Sequence, residues 1–228
     1  MVRLWRLLAL LLVLPMAAQA QSHCRLALLL ALDVSSSVDA AEYALQRDGT
    51  AAALMSPAVK RAILEGGGGS VALGVYEWSG RRQSTVILDW TVLRGEADIA
   101  AAADRLRGAQ RSYTRFPTAL GFALGFGATM LERAPVCERQ VIDVSGDGIT
   151  NDGFGPDLAY KHFPFDGVTV NGLTVLGADP GVRDHYEFFV LKGPGAFIET
   201  SDGYEGFREA MERKLLREIA VRILGSVE

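Results

Sequence analysis

The stretch Leu26–Asp39, which reads LALLLALDVSSSVD, decides the fold. It begins as an uninterrupted aliphatic run and ends in polar residues, a pattern typical of a strand buried on both faces of a parallel sheet. Asp33, Ser35 and Ser37 then follow at every second position. Three oxygens spaced in this way along an extended segment can converge on one point, and hard cations such as Mg²⁺ prefer oxygen-only surroundings.

The first twenty residues have the pattern of a secretory signal peptide. Arg3 and Arg6 form a basic start, residues 7–14 an apolar stretch, and Ala18-Gln19-Ala20 a small-x-small cleavage signal. We therefore expect cleavage after Ala20, which leaves residues 21–228 as one α/β domain that is secreted or periplasmic. The alternative is an uncleaved amino-terminal anchor.

The charge pattern excludes two classes of partner. The chain has a formal net charge of −4, which becomes −6 when the two arginines of the signal peptide are removed. No cluster of lysine and arginine is present, so we expect no nucleic-acid binding. No later apolar run is long enough and free enough of charge to span a bilayer, so we expect no membrane span after cleavage.

Two cysteines, Cys24 and Cys137, lie at matching positions in the sequence. Cys24 precedes Asp33 by nine residues, and Cys137 precedes Asp147 by ten. If both acids end neighbouring parallel strands, both cysteines begin them, at a spacing that a disulfide can bridge. An even cysteine count in an exported chain predicts that disulfide, with two free buried thiols as the alternative.

Strand-like and helix-like segments alternate along the rest of the chain. Five further strands are predicted, at Val71–Trp78, Ser84–Trp90, Gln140–Ser145, Val168–Leu176 and Ala196–Thr200. The first two of them are joined by only five residues, which indicates a hairpin and therefore one antiparallel strand. Predicted helices between and after the strands are Ala40–Met55, a segment ending at Leu64, Gly95–Arg107, Thr118–Arg133, Asp157–Phe163, Asp184–Leu191 and Tyr204–Leu224. This order predicts a doubly wound, mostly parallel sheet with an antiparallel edge strand and helices on both faces.

Three separated motifs resemble the von Willebrand factor type A (vWA) domain and its metal-ion-dependent adhesion site (MIDAS). They are DVSSS at 33–37, TRFPTAL at 114–120 and VIDVSGDG at 141–148. The family pattern is D-x-S-x-S, then a threonine that opens T-x-x-x-x-A-L, then an apolar strand followed by an aspartate in a D-G turn. The resemblance covers the chain from residue 21 onward. More narrowly, it extends to a subfamily of secreted bacterial vWA-like domains, the domain of unknown function 1194.

This resemblance implies a metal site and its ligands. Ser35, Ser37 and Thr114 would offer hydroxyls to the ion directly, while Asp33 and Asp147 would act directly or through bound water. Thr118 competes with Thr114 for the third hydroxyl, and the spacing to Ala119-Leu120 favours Thr114. The expected ion is Mg²⁺, with Mn²⁺ and Ca²⁺ as alternatives.

Four other residues near the predicted rim require an interpretation. Asp179 follows a strand and is either an outer-shell residue or a turn residue before Pro180, the latter favoured. Glu77 and Trp78 end another strand near the same rim and are candidates for the outer shell of the site or for contact with a partner. Asp143 lies inside a strand that otherwise looks buried, so we expect a structural role for it with partners for its charge.

The sequence favours a binding function over catalysis. It contains no Walker loop, no HExxH and no G-x-S-x-G elbow. We therefore predict a secreted protein-binding domain, not an enzyme, whose metal coordinates an acidic residue of a partner protein. The alternatives are a metal-assisted hydrolase or phosphatase at the same rim and a structural domain with an empty site.

Overall fold

The computed structural model describes residues 23–220, and six strands of that segment form one sheet. The predicted signal peptide lies outside the described residues. The strands are β1 (Cys24–Asp33), β2 (Ser70–Trp78), β3 (Ser84–Leu93), β4 (Gln140–Gly146), β5 (Val168–Leu176) and β6 (Ile198–Asp202). Their spatial order is β3-β2-β1-β4-β5-β6, and only β3 runs antiparallel to its neighbour. The predicted mostly parallel sheet with one antiparallel edge strand is confirmed.

Helices cover both faces of this sheet. They are α1 (Ala40–Leu54), α2 (Pro57–Glu65), α3 (Glu96–Arg107), α4 (Leu120–Leu131), α5 (Pro156–His162), α6 (Val182–His185), a π-helix (Tyr186–Val190) and α7 (Phe207–Ala220). One apolar core lies between the sheet and α1, α2, α3 and α7. The second lies between the sheet and α4, α5, α6 and the π-helix. Within residues 23–220, no helix is both long and apolar enough to cross a bilayer.

Strand β1 lies at the centre because its sequence suits burial on both sides. All ten of its residues are buried. Leu28 and Leu30 contribute to one core, and Leu29 and Ala31 to the other. Each leucine withdrawn from water in this way stabilises the fold by about 1.5–3 kcal/mol, so a continuous aliphatic run favours the centre of the sheet.

The strand order changes direction at β1 and β4, which places two loops beside one crevice. Both strands run parallel and are directly paired, with Leu32 opposite Ser145. The chain leaves β1 for β2 on one side, whereas β4 continues to β5 on the other. Ligands of open parallel sheets bind at such a crevice, outside the carboxyl ends of the strands. Asp33 is the last residue of β1, and Asp147 directly follows β4, so both acids lie at this crevice.

The predicted disulfide between Cys24 and Cys137 is confirmed. The Cα atoms of the two cysteines are 4.5 Å apart, and the bond closes a loop with a sequence separation of 113 residues. It joins the first residue of β1 to the segment that leads into β4. Because a cross-link over so long a loop restricts the unfolded chain, it is expected to stabilise the fold by roughly 4 to 5 kcal/mol.

The helix boundaries differ from the prediction in two instructive places. The segment predicted as one helix, Asp184–Leu191, is α6 followed by a π-turn, in which the amide of Leu191 donates to the carbonyl of Tyr186 at 3.0 Å. The closing helix begins at Phe207 rather than Tyr204, and its apolar residues Phe207, Met211, Leu215 and Ile219 are buried. The predicted continuation to Leu224 lies outside the described residues.

Candidate metal centre

Asp33 ends β1 and is fully buried at the crevice. Its Oδ1 accepts a hydrogen bond from the backbone amide of Ser35 at 2.7 Å, and its carbonyl accepts one from Gln46 Nε2 at 2.9 Å. The loop that follows is fixed from both sides, since the amide of Val34 donates to Trp78 and that of Ser36 to Phe116. Asp39 then caps the first turn of α1 in a capping box with Glu42.

Four side chains form a continuous series of oxygen contacts from this loop to β4. Ser35 Oγ lies 3.1 Å from Ser37 Oγ, and Ser37 Oγ donates to Asp147 Oδ1 at 2.7 Å. Thr118 Oγ1 contacts Ser35 Oγ from the other side at 3.3 Å. The structure therefore brings Asp33, Ser35, Ser37 and Asp147 together, although Ser37 and Asp147 are 110 residues apart in sequence.

Thr118, and not Thr114, supplies the third hydroxyl of this cluster, so the preference for Thr114 is wrong. Thr118 is buried with 4% of its surface exposed, whereas Thr114 is exposed. Within residues 23–220, the hydroxyl of Thr114 makes no hydrogen bond to the serines. The spacing rule fails because the segment between these threonines is a loop that does not bring its first hydroxyl into the crevice.

The turn after β4 holds Thr118 in place. Asn151 Oδ1 accepts from the amide of Thr118 at 2.9 Å, and the carbonyl of Thr118 accepts from the amides of Asn151 and Asp152. Ala119 is anchored as well, because its amide donates to the carbonyl of Ser79. The third hydroxyl is thus positioned by residues that follow Asp147, a connection that no local sequence pattern indicates.

The two carboxylates of the cluster are poorly compensated by the protein alone. Burial, reinforced by the negative charge of Asp147, raises the pKa of Asp33 to about 7. Burial also raises the pKa of Asp147, against the hydrogen bond from Ser37. The Oδ2 atoms of both residues are buried and have no hydrogen-bond partner. A buried carboxylate oxygen without a hydrogen-bond partner destabilises the folded state, and a bound cation would offset this by coordinating the oxygen.

Gly146 makes the close approach of these groups possible. A Cβ atom at this position would lie 2.9 Å from Asp33 Oδ2 and 2.5 Å from the hydroxyl of Tyr186. Tyr186 belongs to the π-helix, is fully buried, and its hydroxyl is also without a partner. It thus adds a polar group beneath the cluster that the sequence did not identify.

The prediction that Glu77 and Trp78 contact a partner is wrong. Trp78 is fully buried, and Glu77 is 1% exposed. Glu77 accepts hydrogen bonds from the hydroxyl of Tyr43 at 2.7 Å and from the amide of Ser112 at 2.8 Å. The carboxylate of Glu77 therefore fixes the loop before Thr118 to α1, and Trp78 fills the core beneath the crevice.

Asp179 lies on the rim and forms a turn, as favoured from the sequence. Its Oδ1 accepts from the amide of Gly181 at 2.8 Å. Burial is the main cause of the raised pKa of Asp147, and the negative charge of Asp179 adds to it. The two acids therefore lie on the same side of the crevice. His185 is close by, with Nε2 at 3.3 Å from the amide of Thr150.

Asp143 is a structural residue, in agreement with the prediction. Its Oδ1 lies 3.3 Å from Nζ of Lys214, and both side chains are fully buried. Lys214 also pairs with Glu218 at 3.3 Å, and Glu218 accepts from Asn171 at 2.7 Å. This group fixes α7 to β4 and β5 on the face of the sheet occupied by that helix.

The donor set of the crevice fits a hard divalent cation. It consists of the hydroxyls of Ser35, Ser37 and Thr118 and the carboxylates of Asp33 and Asp147, with no thiol or imidazole among them. Mg²⁺ and Mn²⁺ favour such oxygen ligands, whereas sulfur and nitrogen ligands favour zinc or copper. Among residues 23–220, no three His, Cys, Asp or Glu side chains converge as a metal cluster.

Solved structures share this fold over most of the chain. The von Willebrand factor type A structure from Catenulispora acidiphila aligns with a TM-score of 0.58 at 14% identity, covering 87% of this chain and 42% of that one. Proximal thread matrix protein 1 from the mussel byssus, with a zinc occupied MIDAS motif, has a TM-score of 0.58 at 16% identity, covering 86% and 46%. The pilus adhesin SpaC from Lactobacillus rhamnosus GG has a TM-score of 0.62 at 13% identity, covering 87% and 31%.

These likenesses establish a vWA-like fold, and the chain spans less than half the length of each of these three structures. Comparison with curated protein sequences gives no match. The sequence profile of one family, described as "Protein of unknown function (DUF1194)", matches residues 23–223. The chain is therefore a vWA-like α/β protein that belongs to the DUF1194 family.

Proposed function

We propose that this chain is an exported protein-binding domain that depends on a divalent cation. Asp33, Ser35, Ser37, Thr118 and Asp147 would hold the ion, with Mg²⁺ as the expected occupant and Mn²⁺ or Ca²⁺ as substitutes. The partner is a protein that offers a carboxylate to the same ion. When bound, the cation supplies a Lewis-acidic centre for that carboxylate at the surface of the crevice.

One observation carries this proposal. Three hydroxyls and a carboxylate from three separate loops form an unbroken series of contacts, beside two buried carboxylate oxygens that lack partners. Folding alone does not explain why those acids are buried. Removing an ionised acid from water into an apolar medium without a partner costs on the order of several kcal/mol. A bound cation compensates for that cost.

The chemistry of the donor set favours a carboxylate as the outside ligand. The three hydroxyls would coordinate the ion without reducing its charge, and Mg²⁺ takes six oxygen ligands whereas the set consists of five residues. One position of the ion would therefore accept an outside oxygen, and a hard cation favours a carboxylate there. Ser37 is exposed whereas Ser35 is buried, so the series of contacts reaches solvent at Ser37 and a partner can approach from there.

Export and binding are consistent with the remaining observations. The Cys24–Cys137 disulfide suits an oxidising compartment. The proteins with a similar fold include a pilus adhesin and a thread matrix protein of the mussel byssus. We extend an adhesive role to the present chain as part of the proposal.

Among residues 23–220 the crevice holds no serine–histidine pair, the common arrangement of a nucleophilic serine and its general base. The partners of Ser35 and Ser37 are each other, Thr118 and Asp147, and within residues 23–220 no histidine contacts either serine. His185 is occupied with Thr150 instead. These contacts favour binding over turnover.

Calorimetry tests the proposal directly. Mg²⁺ and Mn²⁺ are titrated into the wild-type protein, the Asp33→Ala variant and an Asp166→Ala control, in which an exposed acid is removed. We expect binding with one site per chain in the wild type and control, and its loss in Asp33→Ala. Equal metal affinity in all three proteins would rule out this site.

A phosphatase screen on the same samples tests the enzymatic alternative. Pulldown from periplasmic extract, with and without a chelator, identifies metal-dependent partners.

A further inference from the structure

Two loops with exposed arginines lie directly beside the serine loop of the candidate site. The turn between β2 and β3 contacts the loop before Thr118, since Ser79 Oγ donates to the carbonyls of Phe116 and Pro117 at 3.2 and 3.3 Å. Phe116 in turn accepts from the amide of Ser36 at 2.8 Å. The first loop carries Arg81 and Arg82, and the second carries Arg115. We call these three residues the arginine rim.

Two of the three arginines have no acidic partner within the described residues. Arg81 donates two hydrogen bonds to Oδ1 of Asp152, from Nη2 at 2.7 Å and from Nε at 2.9 Å. Arg82 and Arg115 are exposed, and among residues 23–220 neither guanidinium takes part in an ion pair. The rim therefore has an uncompensated charge of +2 in a chain whose formal net charge is −4.

The rest of the site does not cancel this positive charge. With a divalent cation bound, Asp33 and Asp147 are neutralised. Arg111 donates to the carbonyls of Val34 and Ser35 at 3.2 and 2.9 Å. The buried Glu77 accepts from the amide of the next residue, Ser112, so these opposite charges lie together beneath the serine loop. Asp179 lies on the side of Asp147, and the uncompensated positive charge is therefore that of the arginine rim.

We propose, as an extension of the proposed function on which it rests, that the partner is an acidic segment with two carboxylates. One carboxylate binds the metal, and a second, a few residues away, contacts Arg82 and Arg115. A second acid is favoured over an apolar neighbour because two unpaired guanidiniums on one rim attract anions and are poorly matched by apolar side chains. The rim thus determines which acidic segments are selected, and in which direction they lie.

The test uses peptides of defined composition, the disulfide-bonded protein and Mg²⁺. Each peptide has one aspartate followed by a glutamate two, three or four positions later, and each has a control with glutamine in place of the glutamate. Affinities are measured by NMR titration for the wild type and for an Arg82→Gln/Arg115→Gln variant. The matched control is Arg61→Gln/Arg94→Gln, which removes two exposed arginines, one from α2 and one just after β3, at its end remote from the crevice.

We expect at least one glutamate peptide to bind the wild type about three- to tenfold more tightly than its glutamine control, the range for one or two solvent-exposed charge contacts. The preference should disappear in the rim variant, persist in the matched control and weaken as salt is raised. Metal affinity should be the same in all three proteins, which shows that the rim acts on the peptide and not on the ion.

Two results overturn the inference and leave the metal site standing. One is equal affinity for glutamate and glutamine peptides at every spacing, including no binding of either, in wild-type protein that binds Mg²⁺. The other is a preference for glutamate that survives in the rim variant. Failure of the wild-type protein to bind Mg²⁺ is a different result, because it contradicts the proposed function and this inference with it.

Discussion

Replacement of Asp33 by asparagine should make the metal-free protein more stable while it removes metal binding. Asp33 is fully buried, and one of its oxygens has no hydrogen-bond partner. An asparagine keeps an oxygen that can accept from the amide of Ser35 and removes the charge. The variant therefore separates two effects of this carboxylate, its cost to the folded state and its value to the cation.

The magnitude follows from the raised pKa of Asp33. Its folded-state pKa is about 7, against 3.8 for an unperturbed carboxyl. Because the folded state holds the proton more tightly, metal-free stability is highest below the unfolded pKa and falls as pH rises through about 7. The full difference corresponds to about 4 kcal/mol, of which about 2 to 3 kcal/mol is lost between roughly pH 5 and pH 8.

Urea unfolding in the presence of a chelator measures this effect. Between roughly pH 5 and pH 8 the wild type should lose about 2 to 3 kcal/mol more than Asp33→Asn, in which the other buried acids still titrate. Asp166→Asn, which changes an exposed acid, serves as the control and should follow the wild type. Excess Mg²⁺ near pH 8 should restore stability to the wild type and to the control but not to Asp33→Asn, by about 2.7 kcal/mol at a hundredfold excess over Kd. Parallel pH profiles for the wild type and Asp33→Asn would refute the reasoning.

Three further perturbations test the site and its support. Thr118→Ala should weaken Mn²⁺ binding by about tenfold or more in calorimetry, as expected for loss of a ligand-shell group. Thr114→Ala should leave the affinity unchanged. Weaker binding in Thr114→Ala and unchanged binding in Thr118→Ala would restore the original sequence prediction. Gly146→Ala should abolish metal binding, because its methyl group would enter the space between a carboxylate and a phenol, whereas Gly95→Ala, where a methyl group meets nothing within 4 Å, should bind normally. Lys214→Met should lower the free energy of unfolding by about 3–5 kcal/mol in urea, since it leaves two buried acids without their cation; a loss below about 1 kcal/mol would show that this ion pair is dispensable.

Most of the fold could be predicted because its signals are local and repeated. The aliphatic run of β1 has no polar residue to place on a solvent face, so only the centre of a sheet suits it. The five-residue link between β2 and β3 permits only an antiparallel pair. The disulfide followed from two cysteines at matching distances from two strand-end acids, and the register of β1 with β4 explains why that reasoning succeeded.

The errors in the site prediction all concern contacts between distant loops. Whether Thr114 or Thr118 enters the crevice depends on Asn151, which lies beyond the next strand and holds the threonine backbone. Glu77 and Trp78 were expected on the surface because they end a strand, but the loop that follows α3 covers Glu77 through Ser112. Sequence spacing identifies which oxygens are available, and the packing of loops decides which of them meet.

The most direct test of the central claim is the anomalous scattering of Mn²⁺ in crystals of the protein. The account predicts one strong peak per chain at the crevice, at about 2.0 to 2.3 Å from the hydroxyls of Ser35, Ser37 and Thr118. It also predicts that this peak is absent from crystals of Asp33→Ala. A peak at another position, or none in wild-type crystals soaked with excess Mn²⁺, would contradict the claim that these loops form a metal site.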